Sequence, residues 1–264
     1  MAILTHGSDL QLAPALRPLV RPAQGGVRLA IERIAAAGFS RVQLDAALPG
    51  IRPRELDKRA RKDLLALVGR HGMTVAGLDL FIPRKDFLTA DRVDRATSAV
   101  LGAIEFAADL GRIPLHLPLP AKALAEDLKA TFIDAADGRG IALAVHAEDQ
   151  LDDLAAWVDD VDLPCLGMSV DPAALLAAGL NPVDLVHQHA KRLTGARLSD
   201  VSIGDSTTRC AIGEGELDVV AYRVALDLAT RRHGGVVLDL RNVEQPLRAA
   251  AAARDTWDDA AFTV

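Results

Sequence analysis

The segment IALAVHAEDQLDDLAAWVDDVDLPCLGMSVD, residues Ile141–Asp171, decides the fold. Its first run, Ile141–Val145, is aliphatic throughout and too short for a helix, so it reads as a strand buried on both faces. Leu151–Val158 follows as a short helix, and Leu166–Val170 is a second aliphatic strand. A strand, a helix and a strand in that order form a unit whose two strands lie parallel. Both strands run into a polar residue, His146 and Asp171, where an aliphatic strand would otherwise simply stop.

The same alternation extends in both directions. Upstream, Leu10–Leu16 is a weak first strand, Gly26–Ala37 a helix stopped by Gly38, and Arg41–Ala46 a strand. A helix is expected near Arg54–Arg70, a strand at Thr74–Phe81, a helix at Asp91–Leu110, a strand at Ile113–Leu117 and a helix at Ala121–Ala136. Downstream come a helix at Pro182–Lys191, a strand at Leu193–Leu198, a helix at Asp218–Arg232, a strand at Val236–Leu240 and a helix at Gln245–Arg254. Eight strand–helix units in 264 residues predict an α/β protein, a single-domain (β/α)8 TIM barrel spanning residues 1–264. Asp200–Glu216, rich in small and polar residues, is expected to be a loop long enough to serve function.

Composition narrows the function classes. Aromatic residues make up 3% of the chain, aliphatic ones dominate, and the net charge is −6. A nucleic-acid backbone would be repelled and its bases would find few rings to stack on. No stretch approaches the roughly 18 apolar residues that cross a bilayer, and the start, MAILTHGSDLQLAP, lacks the pattern of a secretion signal. Cys165 and Cys210 have no metal-binding or disulfide spacing. The expectation is a cytoplasmic protein with neither nucleic acid nor membrane as partner; the oligomeric state stays open.

Several phrases, in order along the chain, resemble the xylose isomerase-like barrels, a family of sugar-phosphate isomerases, ketose epimerases, inosose dehydratases and endonuclease IV. They are AAAGFSRVQLD (35–45), IEFAADLGRIPLHL (104–117), GIALAVHAED (140–149), GMSVDPAALLAAGLNP (167–182), ARLSD (196–200), IGEGELD (212–218) and GGVVLDL (234–240). The resemblance implies a divalent metal at the carboxyl ends of strands five to eight, held by a Glu, an Asp, a His and a second Glu. Carried across, those positions fall on His146, Asp171, Arg197 and Asp239, and a further His of the family falls on Ala174. Only Asp171 matches in kind.

Read by their own chemistry, Asp45, Asp79, His116, His146, Asp171, Arg197, Asp200 and Asp239 end or follow strands and so gather at the mouth, where barrel active sites lie. Polar groups there are costly to bury unless paired, and a set this large implies a polar pocket. His146, Asp239, Arg197 and Asp171 are the expected catalytic residues; His116, Asp45, Asp79, Glu148, Asp200 and Glu214 are expected to bind substrate. His146, Asp171 and Asp239 would suit Mn, Mg or Zn, but Arg197 would bring a permanent cation among the ligands. No cofactor is therefore expected, with that metal site as the alternative. Arg197 is expected to pair with Asp171 or Asp239 as the one cation beside two aspartates.

Two functions fit. One is isomerisation or epimerisation of a sugar, sugar phosphate or cyclitol by proton transfer next to a carbonyl, with Asp239 and His146 as base and acid, Arg197 stabilising an enediolate and Asp171 orienting. The other is a non-catalytic barrel, binding a polyol or an anion or serving as a subunit of a larger assembly, in which an arginine–carboxylate network replaces the metal. In either, the partner is a small polyol or sugar. Phosphodiester cleavage fails on charge and on missing ligands.

Overall fold

The structure, a computed structural model, describes residues 10–20, 25–204, 207–229 and 235–261. Eight strands form one parallel sheet: β1 Leu12–Pro14, β2 Arg41–Asp45, β3 Thr74–Asp79, β4 Leu115–Pro118, β5 Leu143–His146, β6 Leu166–Val170, β7 Leu193–Leu198 and β10 Val236–Leu238. Each pairs with its neighbour in chain order, and β10 lies between β7 and β1. The ring closes between β1 and β2 through a parallel bridge of Ala15 with Gln43, and Leu16 donates its N–H to the Gln43 carbonyl at 2.9 Å.

The aliphatic strands are buried because helices cover the outside of the barrel. Helix α1 (Gly26–Ala36) buries Ala30, Ile31 and Ile34, and α3 (Val93–Asp109) buries Ala96, Val100, Ala103, Ile104, Phe106 and Ala107. The others on the outside are α2 (Lys58–Arg70), α4 (Glu126–Arg139), α5 (Leu151–Val161), α7 (Pro182–Gln188), α8 (Val219–Leu228) and α9 (Pro246–Asp259). The short α6 (Pro172–Ala177) starts directly after Asp171. Helix α4 begins five residues later than expected, and α9 runs five residues beyond Arg254. The expected end of α8, from Thr230 to Arg232, lies outside the described residues, as do residues 1–9 of the amino-terminal segment. Among the described residues no helix is long and apolar enough to cross a membrane.

The interior of the barrel is tightly filled. A Cβ at Gly195 on β7 would collide with the His116 ring and lie 2.9 Å from Ser169 Oγ, so β7 needs glycine where a histidine from across the barrel reaches in.

The segment Asp200–Glu216, expected as a loop long enough to serve function, contains an antiparallel hairpin. Strand β8 (Asp200–Ile203) pairs with β9 (Thr207–Cys210), setting Val201 opposite Arg209. Asp200 is 1% exposed and its carboxylate accepts the N–H groups of Val201, Gly213, Gly215 and Leu217 at 2.8–3.1 Å. One buried carboxylate therefore ties the base of the hairpin to the turn that leads into α8. A Cβ at Gly215 would strike that carboxylate, so the glycine of the GEG turn is required by close approach. Asp200→Ala strands buried backbone donors; a loss of about 3 kcal/mol in urea unfolding is expected, and an unchanged midpoint would count against the role of this carboxylate.

Candidate functional site

Because every barrel strand is parallel, all strand ends meet at one rim. There they surround a cavity of about 700 Å³, lined by Asp45, Asp79, His116, His146, Glu148, Asp171, Arg197 and Asp239 together with Arg17, Arg84, Arg209 and Arg241, and by Ala15, Pro18, Leu80, Phe81, Ile82, Pro118 and Ala174. That volume falls within the roughly 300–1,000 Å³ of small-molecule sites. Eight of the ten residues singled out in the sequence are thus brought together. Asp200 and Glu214 are not: Asp200 is spent on backbone N–H groups, and Glu214 is exposed in the turn beyond.

The expectation of one cation beside two aspartates is overturned. Arg209 comes in on the hairpin and Arg241 follows β10 by three residues, and both bridge the same two carboxylates. Arg209 Nη2 donates to Asp171 Oδ2 at 2.5 Å and its Nη1 to Asp239 Oδ2 at 3.3 Å. Arg241 grips Asp239 through Nε (3.0 and 2.8 Å) and Nη2 (2.5 Å), and its Nη2 also reaches Asp171 Oδ2 at 3.1 Å. Ser199 Oγ donates to the other Asp171 oxygen at 2.6 Å.

Arg197 pairs with Asp239, one of its two expected partners, but its shorter contact is with Asp79. Its Nη2 donates to Asp79 Oδ1 at 2.6 Å, with Asp239 at 3.5 Å from Nη1. Gln43 Nε2 donates to the same Asp79 oxygen at 3.0 Å, and the Tyr222 hydroxyl of α8 donates to the Arg197 carbonyl at 2.9 Å. Arg197 Nε donates to His146 Nε2 at 3.3 Å. A guanidinium has no acceptor, so Nε2 carries the lone pair and the imidazole proton sits on Nδ1, aimed at Glu148 Oε1 3.2 Å away. His116, on β4, stacks obliquely with its centroid 6.0 Å from that of His146, and Ser169 Oγ lies 3.4 Å from its Nδ1. On the outer rim Arg17 is bound to Asp45, while Arg84 is bound to Asp149 and lies 3.6 Å from Glu148.

These neighbours set the charge states. Burial disfavours the ionised form of Asp239, whose side chain is 0% exposed, but Arg197, Arg241 and Arg209 outweigh it and hold the carboxyl well below the usual range. Asp171 is shifted in the same direction: burial and Asp239 raise its pKa, while Arg209, Arg197 and the Ser199 hydroxyl lower it further. Burial likewise opposes the charge on Arg197, and Asp79, Asp239 and Asp171 overcome it to raise its pKa.

A divalent cation does not fit this donor set. His146 Nε2, the nitrogen facing the cluster, already accepts from Arg197, and the inward oxygens of Asp171 and Asp239 already accept from Arg209 and Arg241. Among the described residues no three His, Cys, Asp or Glu are placed to share an ion.

The xylose isomerase-like TIM barrel profile matches residues 31–258. The chain belongs to that family. Similar solved structures include a xylose isomerase-like barrel from Mycobacterium smegmatis in complex with magnesium, 15% identical, with a TM-score of 0.72 over 96% of this chain and 97% of the other. D-psicose 3-epimerase with D-tagatose, from Clostridium cellulolyticum H10, is 13% identical with a TM-score of 0.74 over 95% and 99%. The E. coli 3-keto-D-glucoside 4-epimerase is 15% identical with a TM-score of 0.71 over 96% and 99%. At these identities the likeness is one of fold. No curated protein matches the sequence.

Arg209 and Arg241 escaped the sequence reading, as did Arg17 and Arg84. Arg241 carried a signal, since it stands two residues after the strand-end Asp239. Arg209 carried none beyond its place in a loop already marked as long enough to act.

Two predictions follow from this geometry. Arg197→Met should cost about 3 kcal/mol in urea unfolding at pH 7. Adding Asp79→Asn should restore part of it, whereas adding Asp239→Asn should not, because Asp239 keeps Arg241 and Arg209; the reverse pattern would assign the principal pairing to Asp239. As to pH, the folded-state pKa values of Asp171 and Asp239 lie below their unfolded values, near 3.9. Their pairing is then fully stabilising above about pH 4 and is lost as pH falls through the depressed values. The unfolding midpoint should decline steeply below about pH 4, and Asp239→Asn should flatten that decline while lowering stability at pH 7.

Proposed function

We propose that the mouth of this barrel binds a sugar or other polyol without a divalent metal ion, the arginine–aspartate network doing the work of recognition. The observation that carries this reading is the engagement of both Asp171 and Asp239 by Arg209 and Arg241. A carboxylate held far below its ordinary pKa is a weak proton acceptor, so Asp239 serves poorly as the base of an isomerase. It serves well as a fixed acceptor for hydroxyl groups, alongside guanidinium N–H donors aimed into the cavity. The nature of the ligand is supported by the family and by solved barrels of this fold described as acting on, or binding, D-tagatose and a 3-keto-glucoside.

A second reading rests on a separate observation. His146 and Glu148 form a hydrogen-bonded pair, 9% and 12% exposed, facing the same cavity as His116. In that reading His146 Nε2 takes the proton next to a substrate carbonyl after Arg197 turns from it toward the developing enediolate oxygen, and Glu148 steadies the imidazolium through Nδ1.

One experiment separates the two. The protein is incubated in D2O with D-tagatose, D-fructose and L-ribulose, and both line broadening and exchange of the hydrogen next to the carbonyl are followed by NMR, with and without EDTA. Binding without exchange, unchanged by EDTA, is expected. Exchange that disappears in His146→Ala would establish the second reading, and exchange that EDTA abolishes would overturn both.

A further inference from the structure

The cavity has two unlike halves. Its floor is charged, and one stretch of its rim is apolar, carrying Leu80, Phe81 and Ile82 between β3 and the 3-10 turn Arg84–Phe87. Phe81 is 61% exposed, although it belongs to a segment anchored at both ends. On one side the Leu80 N–H donates to the His116 carbonyl at 2.9 Å. On the other, Asp86 N–H closes on the Pro83 carbonyl at 2.8 Å, and Phe87 is buried edge-on against Phe132, with centroids 6.2 Å apart. Arg84 ties the same turn to Glu148 and Asp149. The backbone thus presents an aromatic ring at the rim instead of letting it fold inward, and a large exposed ring beside a polar pocket marks a contact for something apolar.

The charges of the described lining residues are also balanced: five arginines, Arg17, Arg84, Arg197, Arg209 and Arg241, against five carboxylates, Asp45, Asp79, Glu148, Asp171 and Asp239. Every one of those arginines is already ion-paired. An anionic group entering the cavity would have to break a pair to gain one, whereas hydroxyl groups can share the donors and acceptors as they stand.

We propose that the ligand is an uncharged glycoside or cyclitol ether, its hydroxyl face on the Asp171–Asp239–arginine floor and its apolar substituent against Phe81 and Ile82. This rests on the polyol-binding reading above. The test measures the affinities of methyl and phenyl glycosides of D-glucose, D-galactose, D-mannose and D-xylose by calorimetry, for the wild type and for Phe81→Ala, with D-fructose 6-phosphate against D-fructose as a charge control. At least one phenyl glycoside should bind about tenfold more tightly than its methyl counterpart, Phe81→Ala should bring that ratio toward one, and the phosphate should give no gain. Equal affinity for phenyl and methyl glycosides, a ratio unaffected by Phe81→Ala, or tighter binding of the phosphate would overturn this proposal and leave the polyol reading in place. No binding of any of these compounds would remove both.

Discussion

Asp171 and Asp239 lie buried at the rim of the barrel with their inner oxygens turned toward the same two guanidiniums. Two carboxylates this close and this dry cannot both stay ionised without compensation, because each loses its hydration and repels the other. Arg209, Arg241 and Arg197 supply that compensation, and much of the surrounding architecture holds them in place. The Asp200 carboxylate pins the base of the hairpin that carries Arg209, the Tyr222 hydroxyl fixes the backbone of Arg197, and Gln43 turns Asp79 toward the Arg197 guanidinium.

Three guanidiniums placed against Asp171 and Asp239 set the chemistry open to these acids. A metal ion is a compact charge that exchanges ligands and polarises a bound oxygen. A guanidinium is planar, keeps its proton and offers N–H donors in fixed directions. It stabilises the acids it touches as acceptors and in the same act weakens them as bases. In the second reading proposed above, proton transfer falls to the His146–Glu148 pair, whose imidazole tautomer is set by Arg197 on one nitrogen and by Glu148 on the other.

The order of elements was legible in the chain because buried parallel strands are short aliphatic runs, and Ile141–Val145, Leu166–Val170 and Leu193–Leu198 stand out against helical segments such as Asp91–Leu110. The choice of a barrel also followed from the sequence, since the count of units fits a ring. Strand-end position alone brought Asp45, Asp79, His116, His146, Asp171, Arg197 and Asp239 to one rim, and chain direction requires as much of any parallel barrel. The hairpin was hidden, because Asp200–Cys210 mixes polar and small residues with no clean alternation and owes its form to a buried carboxylate.

Pairing was decided only by the tertiary structure. An arginine side chain is long enough to reach carboxylates on several neighbouring strands, so nothing local tells Arg197 to choose Asp79 over Asp171, or brings Arg209 across from the hairpin to bridge the ends of β6 and β10. The sequence determined that charged groups of both signs would meet at the mouth. Which cation met which anion depended on the angles at which eight strands arrive there, and those are set by closure of the whole ring.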